Sequence, residues 1–303
     1  MKCLYPLPPH IMLHVFETLI KPILTYGGDV WGISKNARCM IDKLYLNFAR
    51  CVLGVKSTTS NHIVHGECGR IPPSVSVEIA TMKYWHRLKS MNNECLVKQV
   101  YNELASLDEL GFTTWVTKVH ELGRILQFDI DSNLDNRNFD AHCKQHICNH
   151  FISNWRNSIS DVNLCPKLRT YSLFKTSFYT EPYLYLVKEI KYRQAISRIQ
   201  ASSHTLAIER GRYTRPKTPV DQRLCTFCNN IEDEEHFLIN CTINQPERNI
   251  LFAKIQLRVE DFDMKSVSDK FLFLMTVDDS QILKWLGIFL HKSFIKRSEV
   301  IGI

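Results

Sequence analysis

Apolar residues recur at intervals of three and four along most of this 303-residue chain, a spacing that one face of an α-helix satisfies and an alternating strand does not. In "MIDKLYLNFARCVLGV" (40–55), Ile41, Leu44, Tyr45, Phe48 and Val52 share a face and Gly54 can close the helix. After "GRIPPS", Ser74 can cap a second helix bearing Val75, Ile79, Met82 and Trp85 or His86. A third runs through Leu96, Val97, Val100, Tyr101 and Leu104, and a fourth from Thr114 through Trp115, Val119, Leu122 and Leu126. Farther on, Ile147, Phe151, Trp155 and Ile159 mark a long helix, Pro182 opens a stretch to about Ala201, Pro246 opens another, and Asp278 or Ser280 caps the last. With only 11 Gly and 11 Pro, turn-rich β architecture is excluded, and the expectation is a mainly α protein.

The polar stretch "DIDSNLDNRNFD" (129–140) reads as a linker, which divides the chain into a helical region 1–130, a helical connector 131–200, a Cys/His module 201–245 and C-terminal helices 246–303. Trp31, Trp85, Trp115 and Trp155 fall on apolar faces and read as packing residues. No apolar run reaches the roughly 18 residues of a membrane span. The opening "MKCLYPLPPHIML" is broken by prolines and is a poor export signal, so an intracellular site, nuclear and/or cytoplasmic, with reduced cysteines is expected.

One segment concentrates metal-ligand chemistry. "CTFCNNIEDEEHFLINC" sets Cys225, Cys228, His236 and Cys241 in a C-x2-C-x7-H-x4-C pattern. A C-x-x-C turn can aim two sulfurs at one tetrahedral ion, with the other two ligands coming from a short following element begun near Ile231. Four protein ligands leave no open position, so the expected ion is a structural Zn2+. Two other readings exist: a redox pair, against which the four carboxylates of "EDEE" argue by favouring thiol over thiolate, and ordinary buried thiols beside a surface histidine. His142, His146 and His150, spaced by four, read as a solvated helix stripe; Asp278–Asp279 reads as a helix cap, and "GGDVWG" lacks a phosphate-loop pattern.

The net charge of +7 is unevenly placed: nine Lys or Arg against three carboxylates lie between Lys188 and Arg223, directly before the Cys/His segment. Such a track neutralises phosphates by counterion release. Arg198, His204, Arg210, Arg212 and Arg215 are candidate phosphate contacts, with Tyr213 and Phe227 placed to stack on exposed bases. Lys167, Arg169 and Lys175 of "KLRTYSLFK", alternating as on a strand edge, extend the track. The other account of the same residues is a solvated charged face over core aromatics.

Five stretches in order, "IKPILTYGGDVWG" (20–32), "LGVKSTTSNHIVHGECGRIPPSVSVEIATMKYWHRL" (53–88), "KLRTYSLFK" (167–175), "RIQASSHTLAIERGRY" (198–213) and the Cys/His segment, resemble the region that follows the polymerase domain in LINE-type, non-long-terminal-repeat retrotransposon reverse transcriptases. The resemblance implies that residues up to about 130 are the end of the palm and a helical thumb, and that 198–245 is a zinc-bearing part binding template RNA or target DNA. It also implies partner domains, a polymerase holding Mg2+ and an endonuclease. This chain departs from the family in having no [FY]-x-D-D motif. Without those aspartates nothing positions a magnesium pair, so no catalytic activity is expected of it alone. The alternative to a nucleic-acid-binding tail is a helical interaction scaffold whose zinc serves only the fold.

Overall fold

The computed structural model describes residues 7–130, 138–161 and 166–301. Among them are sixteen α-helices and no strand, only one antiparallel bridge, Leu224 with Ile231, so the chain is mainly α as its periodicity requires. Among the described residues, no helix is long and apolar enough to cross a membrane. Residues 1–6 of the N-terminal stretch and 131–137 of the polar stretch lie outside the described residues.

The helices gather into two compact units that interleave along the chain: His14–Asn47 with Ile71–Asn157, and Met1–Leu13 with Phe48–Arg70 and Ser158–Ile303. Both units draw on segments far apart in the sequence, and the polar stretch does not mark the edge of a core. Phe139, Cys143 and Ile147, at and beyond its end, bury in the same cluster as Phe128 and Ile130, at its start.

The first unit is built on Trp85, fully buried among Val75, Met82, Leu88, Tyr101, Val116, Val119 and Leu122. Its central helix, Pro73–Ser90, begins with a proline at the first turn, and Thr114 caps Trp115–Ile125 through a reciprocal box with Thr117. The Leu96–Glu109 helix forms where expected but turns a different face inward. Leu96, Val97 and Val100 are exposed, while Lys98 is buried and its Nζ donates to Leu88 O at 2.9 Å and Lys89 O at 3.1 Å. Those carbonyls end the Pro73–Ser90 helix, where Leu88 O otherwise takes a long 3.4 Å bond from Met91 N, and the ammonium completes them while lying 4.9 Å from the Tyr101 ring centre.

In the second unit the Ser280–Ile301 helix packs against Ile190–Gln200 and Gln245–Gln256. Asp279 caps it, accepting from Gln281 N and Ile282 N at 2.9 Å each. The helix expected from Pro182 to Ala201 is broken into Tyr183–Leu186 and Ile190–Gln200, and buried Arg193 fills the break by donating to Val187 O and Lys188 O. "KLRTYSLFK" is helical, Leu168–Phe174, not extended, because Leu168, Tyr171 and Phe174 bury at intervals of three. Its Lys175 is buried on Glu181, away from any surface track. At Gly69, φ is +57° and a Cβ would overlap the backbone at Tyr179 and Thr180, so only glycine fits.

Candidate metal centre and its cationic flank

The Cys/His segment folds as a knuckle. Leu224 and Ile231 pair across a tight turn, Cys225 N donates to Asn230 O at 2.7 Å and Asn229 N to Cys225 O at 3.0 Å, with Asn229 in the left-handed region that asparagine tolerates. This turn presents Cys225 and Cys228 together. Asp233 then accepts from His236 N at 2.8 Å and starts a single wide turn, closed by Cys241 N donating to His236 O at 2.7 Å. That five-residue closure brings His236 and Cys241 to the same side.

The four ligand atoms lie within 4.8 Å of one another. Cys241 Sγ is 3.7 Å from Cys225 Sγ and 4.0 Å from Cys228 Sγ. These separations are too long for a disulfide, whose sulfurs sit about 2.05 Å apart. They match the edge, about 3.8 Å, of a tetrahedron whose sulfurs are ~2.3 Å from a central ion. His236 Nε2 is buried with no hydrogen-bond partner among the described residues, a cost that an ion at the centre removes. The cluster can therefore hold a metal ion, and among the described residues it is the one such group. The His142, His146 and His150 stripe does not join it; His146 Nε2 pairs with Leu126 O at 3.0 Å.

Burial raises the Cys241 thiol to about 12, with the neighbouring Cys225 sulfur adding to the effect. At Cys228 burial acts in the same direction but is outweighed by hydrogen bonds from the Thr242 hydroxyl and N–H, 3.2 and 3.3 Å from Sγ, so the net shift is downward. Burial lowers His236, which keeps the ring neutral and its lone pair available. Loading an ion must displace thiol protons, so affinity rises with pH.

The acidic run "EDEE" does not face the thiols as free charge. Glu232 is buried and both its oxygens meet Arg297 of the C-terminal helix, at 2.6 and 2.7 Å, while Oε2 also accepts from Ala207 N at 2.6 Å. Glu234 is buried and accepts from His204 Nε2 at 2.9 Å, Thr170 Oγ1 at 3.0 Å, Ser202 Oγ at 3.2 Å and Arg169 Nη2 at 2.5 Å. Burial alone would raise its carboxyl, but His204 and Arg169 hold it down at about 2. Two glutamates thus weld the knuckle to the helices around it.

That weld revises the cationic track. His204 is buried on Glu234 and cannot reach a phosphate. Arg169 pairs with Glu209 and Glu234, and Arg212 with Glu209 at 2.9 Å and Pro166 O at 2.9 Å, so both are committed to the fold. Arg223, also counted in the charge run, is buried on Ile208 O and Thr218 O. Arg198, Arg210 and Arg215 remain exposed, as do Tyr213 and Lys217, with Phe227 half-buried. Lys167 is partly exposed, donates to Thr58 O at 2.8 Å and lies 5.4 Å from the Tyr213 ring centre. Sequence reasoning missed Glu232, Glu234, Arg297 and Lys56; a charged residue far from the motif carries no local signal of which carboxylate it meets. No family model, curated protein or solved structure matches the chain.

Proposed function

We propose that this chain is a non-catalytic nucleic-acid-binding segment of a LINE-type reverse transcriptase. In this reading Cys225, Cys228, His236 and Cys241 hold one structural Zn2+, and the exposed cations around the knuckle grip template RNA or target DNA. The observation that carries the reading is the Cys3His cluster at tetrahedral spacing with Arg198, Arg210, Arg215, Lys217 and Tyr213 exposed in the segment leading to it. The sequence resemblance supplies the family, and with it the polymerase that would bind Mg2+, the endonuclease partner and a nuclear or cytoplasmic site of action.

Zinc bound by three thiolates and a histidine supplies no open coordination position and activates no water. What this chain's own residues do is positional. Thr242 steadies Cys228, Asp233 orients His236, and Arg248 donates to Cys241 O at 2.9 Å, so the ligand-bearing turns are held from outside the ion.

The second reading, a helical scaffold, draws on the internal commitment of Arg169, His204 and Arg212. Titration of a labelled single-stranded RNA over a range of salt separates the two. Nucleic-acid binding requires log affinity to fall linearly with log salt, and replacing Arg198 or Arg215 to flatten that slope by about one unit each. Absence of binding at low salt leaves the scaffold.

A further inference from the structure

A pocket of ≈ 150 Å³ opens beside the knuckle, lined by Lys56, Thr58, Lys167, Ser202, His204, Thr205, Glu209, Arg210 and Tyr213. Its cations are unevenly used, Lys167 being engaged by both Thr58 and Tyr213. Lys56 Nζ donates to His204 O at 2.9 Å and Lys167 Nζ to Thr58 O at 2.8 Å, and among the described residues neither ammonium meets a carboxylate. An ammonium carries three donors, so each carbonyl fixes the position of a charge and leaves donors unspent. The Arg210 guanidinium is exposed and makes no hydrogen bond or ion pair among the described residues. Glu209, the acid in the wall, is already held by Arg169 and Arg212. His204 faces Glu234 through Nε2. The mouth is therefore net positive, and Tyr213, 59% exposed, presents its ring at the rim with the Lys167 ammonium over it, 5.4 Å from the ring centre.

Cations fixed in place by backbone carbonyls, next to an exposed aromatic ring, suit a phosphate with a base one sugar away. We propose that this pocket is a nucleotide subsite for single-stranded nucleic acid, in which Lys56, Lys167 and Arg210 take one phosphate and Tyr213 stacks on the adjoining base. The proposal deepens the nucleic-acid reading above and rests on it. It predicts discrimination within the charged face: a duplex, whose bases are stacked away, gains the phosphate contact only.

The test is fluorescence anisotropy with a short labelled oligouridine and its DNA counterpart, on the full zinc-loaded chain. Tyr213→Ala leaves net charge unchanged and is expected to weaken binding about five-fold or more, whereas Tyr213→Phe retains affinity. Arg210→Gln is expected to weaken binding more than Arg215→Gln, which removes the same charge outside the pocket. Because Tyr213 and Arg210 are exposed, thermal melting should match the parent chain, and the two substitutions test the site independently. Unchanged binding by Tyr213→Ala, with Arg210→Gln and Arg215→Gln equivalent, overturns the subsite and leaves a diffuse cationic face. No binding by the parent chain at low salt overturns the subsite together with the nucleic-acid reading.

Discussion

Replacing Arg297 by Met should loosen the knuckle from a distance of 65 residues in sequence. Arg297 is 2% exposed and gives Nε and Nη2 to the two oxygens of Glu232, at 2.6 and 2.7 Å. Met fills much of the same volume but donates nothing, which leaves a buried carboxylate with the Ala207 N–H alone. Stranding one member of a buried ion pair costs about 3–5 kcal/mol. Losing two charge-assisted hydrogen bonds at roughly 1.5–3 kcal/mol each gives an overlapping range of about 3–6 kcal/mol. Urea unfolding at fixed zinc, read by metal release to a chromophoric chelator, reports the unit that carries the cluster. With a slope near 2 kcal/mol per M, the midpoint should fall by about 2 M. Glu232→Gln combined with Arg297→Met removes the stranded charge, and the double variant should recover about half the loss, a coupling of roughly 2 kcal/mol. A midpoint shift below about 0.5 M, or a double variant no better than the single, refutes the weld.

Three further outcomes follow from the same structure. Cobalt added to the metal-free chain should give the visible absorption of a tetrahedral thiolate site at one ion per chain, and Cys225→Ser or Cys241→Ser should abolish it and lower the melting temperature. Glu67 is fully buried, and burial first, then the charge of Glu181, raises its carboxyl from 4.5 to about 8. The folded state then holds a proton that the unfolded state releases, so stability is lost as pH rises from about 5 to about 8. Glu67→Gln, which still accepts from Tyr183, should remove a few kcal/mol of that decline in paired urea titrations, and parallel pH profiles would refute it. Gly69→Ala should cost about 2 kcal/mol or more, because φ is +57° and the backbone of Tyr179 and Thr180 occupies the added methyl's place. Gly111→Ala, at φ +88° but with open space around it, should cost about 1 kcal/mol in the same melts.

Local chemistry was legible in the sequence and partner choice was not. Thr114, Gly54 and the aspartate pair at 278–279 mark helix ends because a cap is decided within a few residues, and each end falls where those residues place it. The four members of the Cys/His cluster are legible for the same reason, since a C-x-x-C turn and one wide turn suffice to converge them. Lys98 shows the limit. An apolar count puts Leu96, Val97 and Val100 inward, but the helix-end carbonyls of Leu88 and Lys89 are a tertiary fact, and meeting them turns the helix so that Lys98 and Tyr101 face the core. "KLRTYSLFK" errs through period: alternating charge suggested a strand, whereas Leu168, Tyr171 and Phe174 were already at helical spacing.

The acidic run beside the thiols carries the larger consequence. Read along the chain, "EDEE" is solvated charge that opposes thiolate formation; in the fold, Glu232 and Glu234 point inward, Glu232 onto Arg297 of the C-terminal helix and Glu234 onto His204 and Arg169 of the track. Each inward carboxylate is paired with a buried or half-buried cation, so both estimates made from charge counting shift together. The sulfur separations and the orphaned His236 nitrogen fit a metal tetrahedron better than a disulfide pair, without appeal to the carboxylates. The cationic surface contracts from a diffuse run to a few exposed side chains beside one pocket. Three cations and a ring converging there can take one phosphate and one base, whereas a long charged face would recognise neither the strand nor its register.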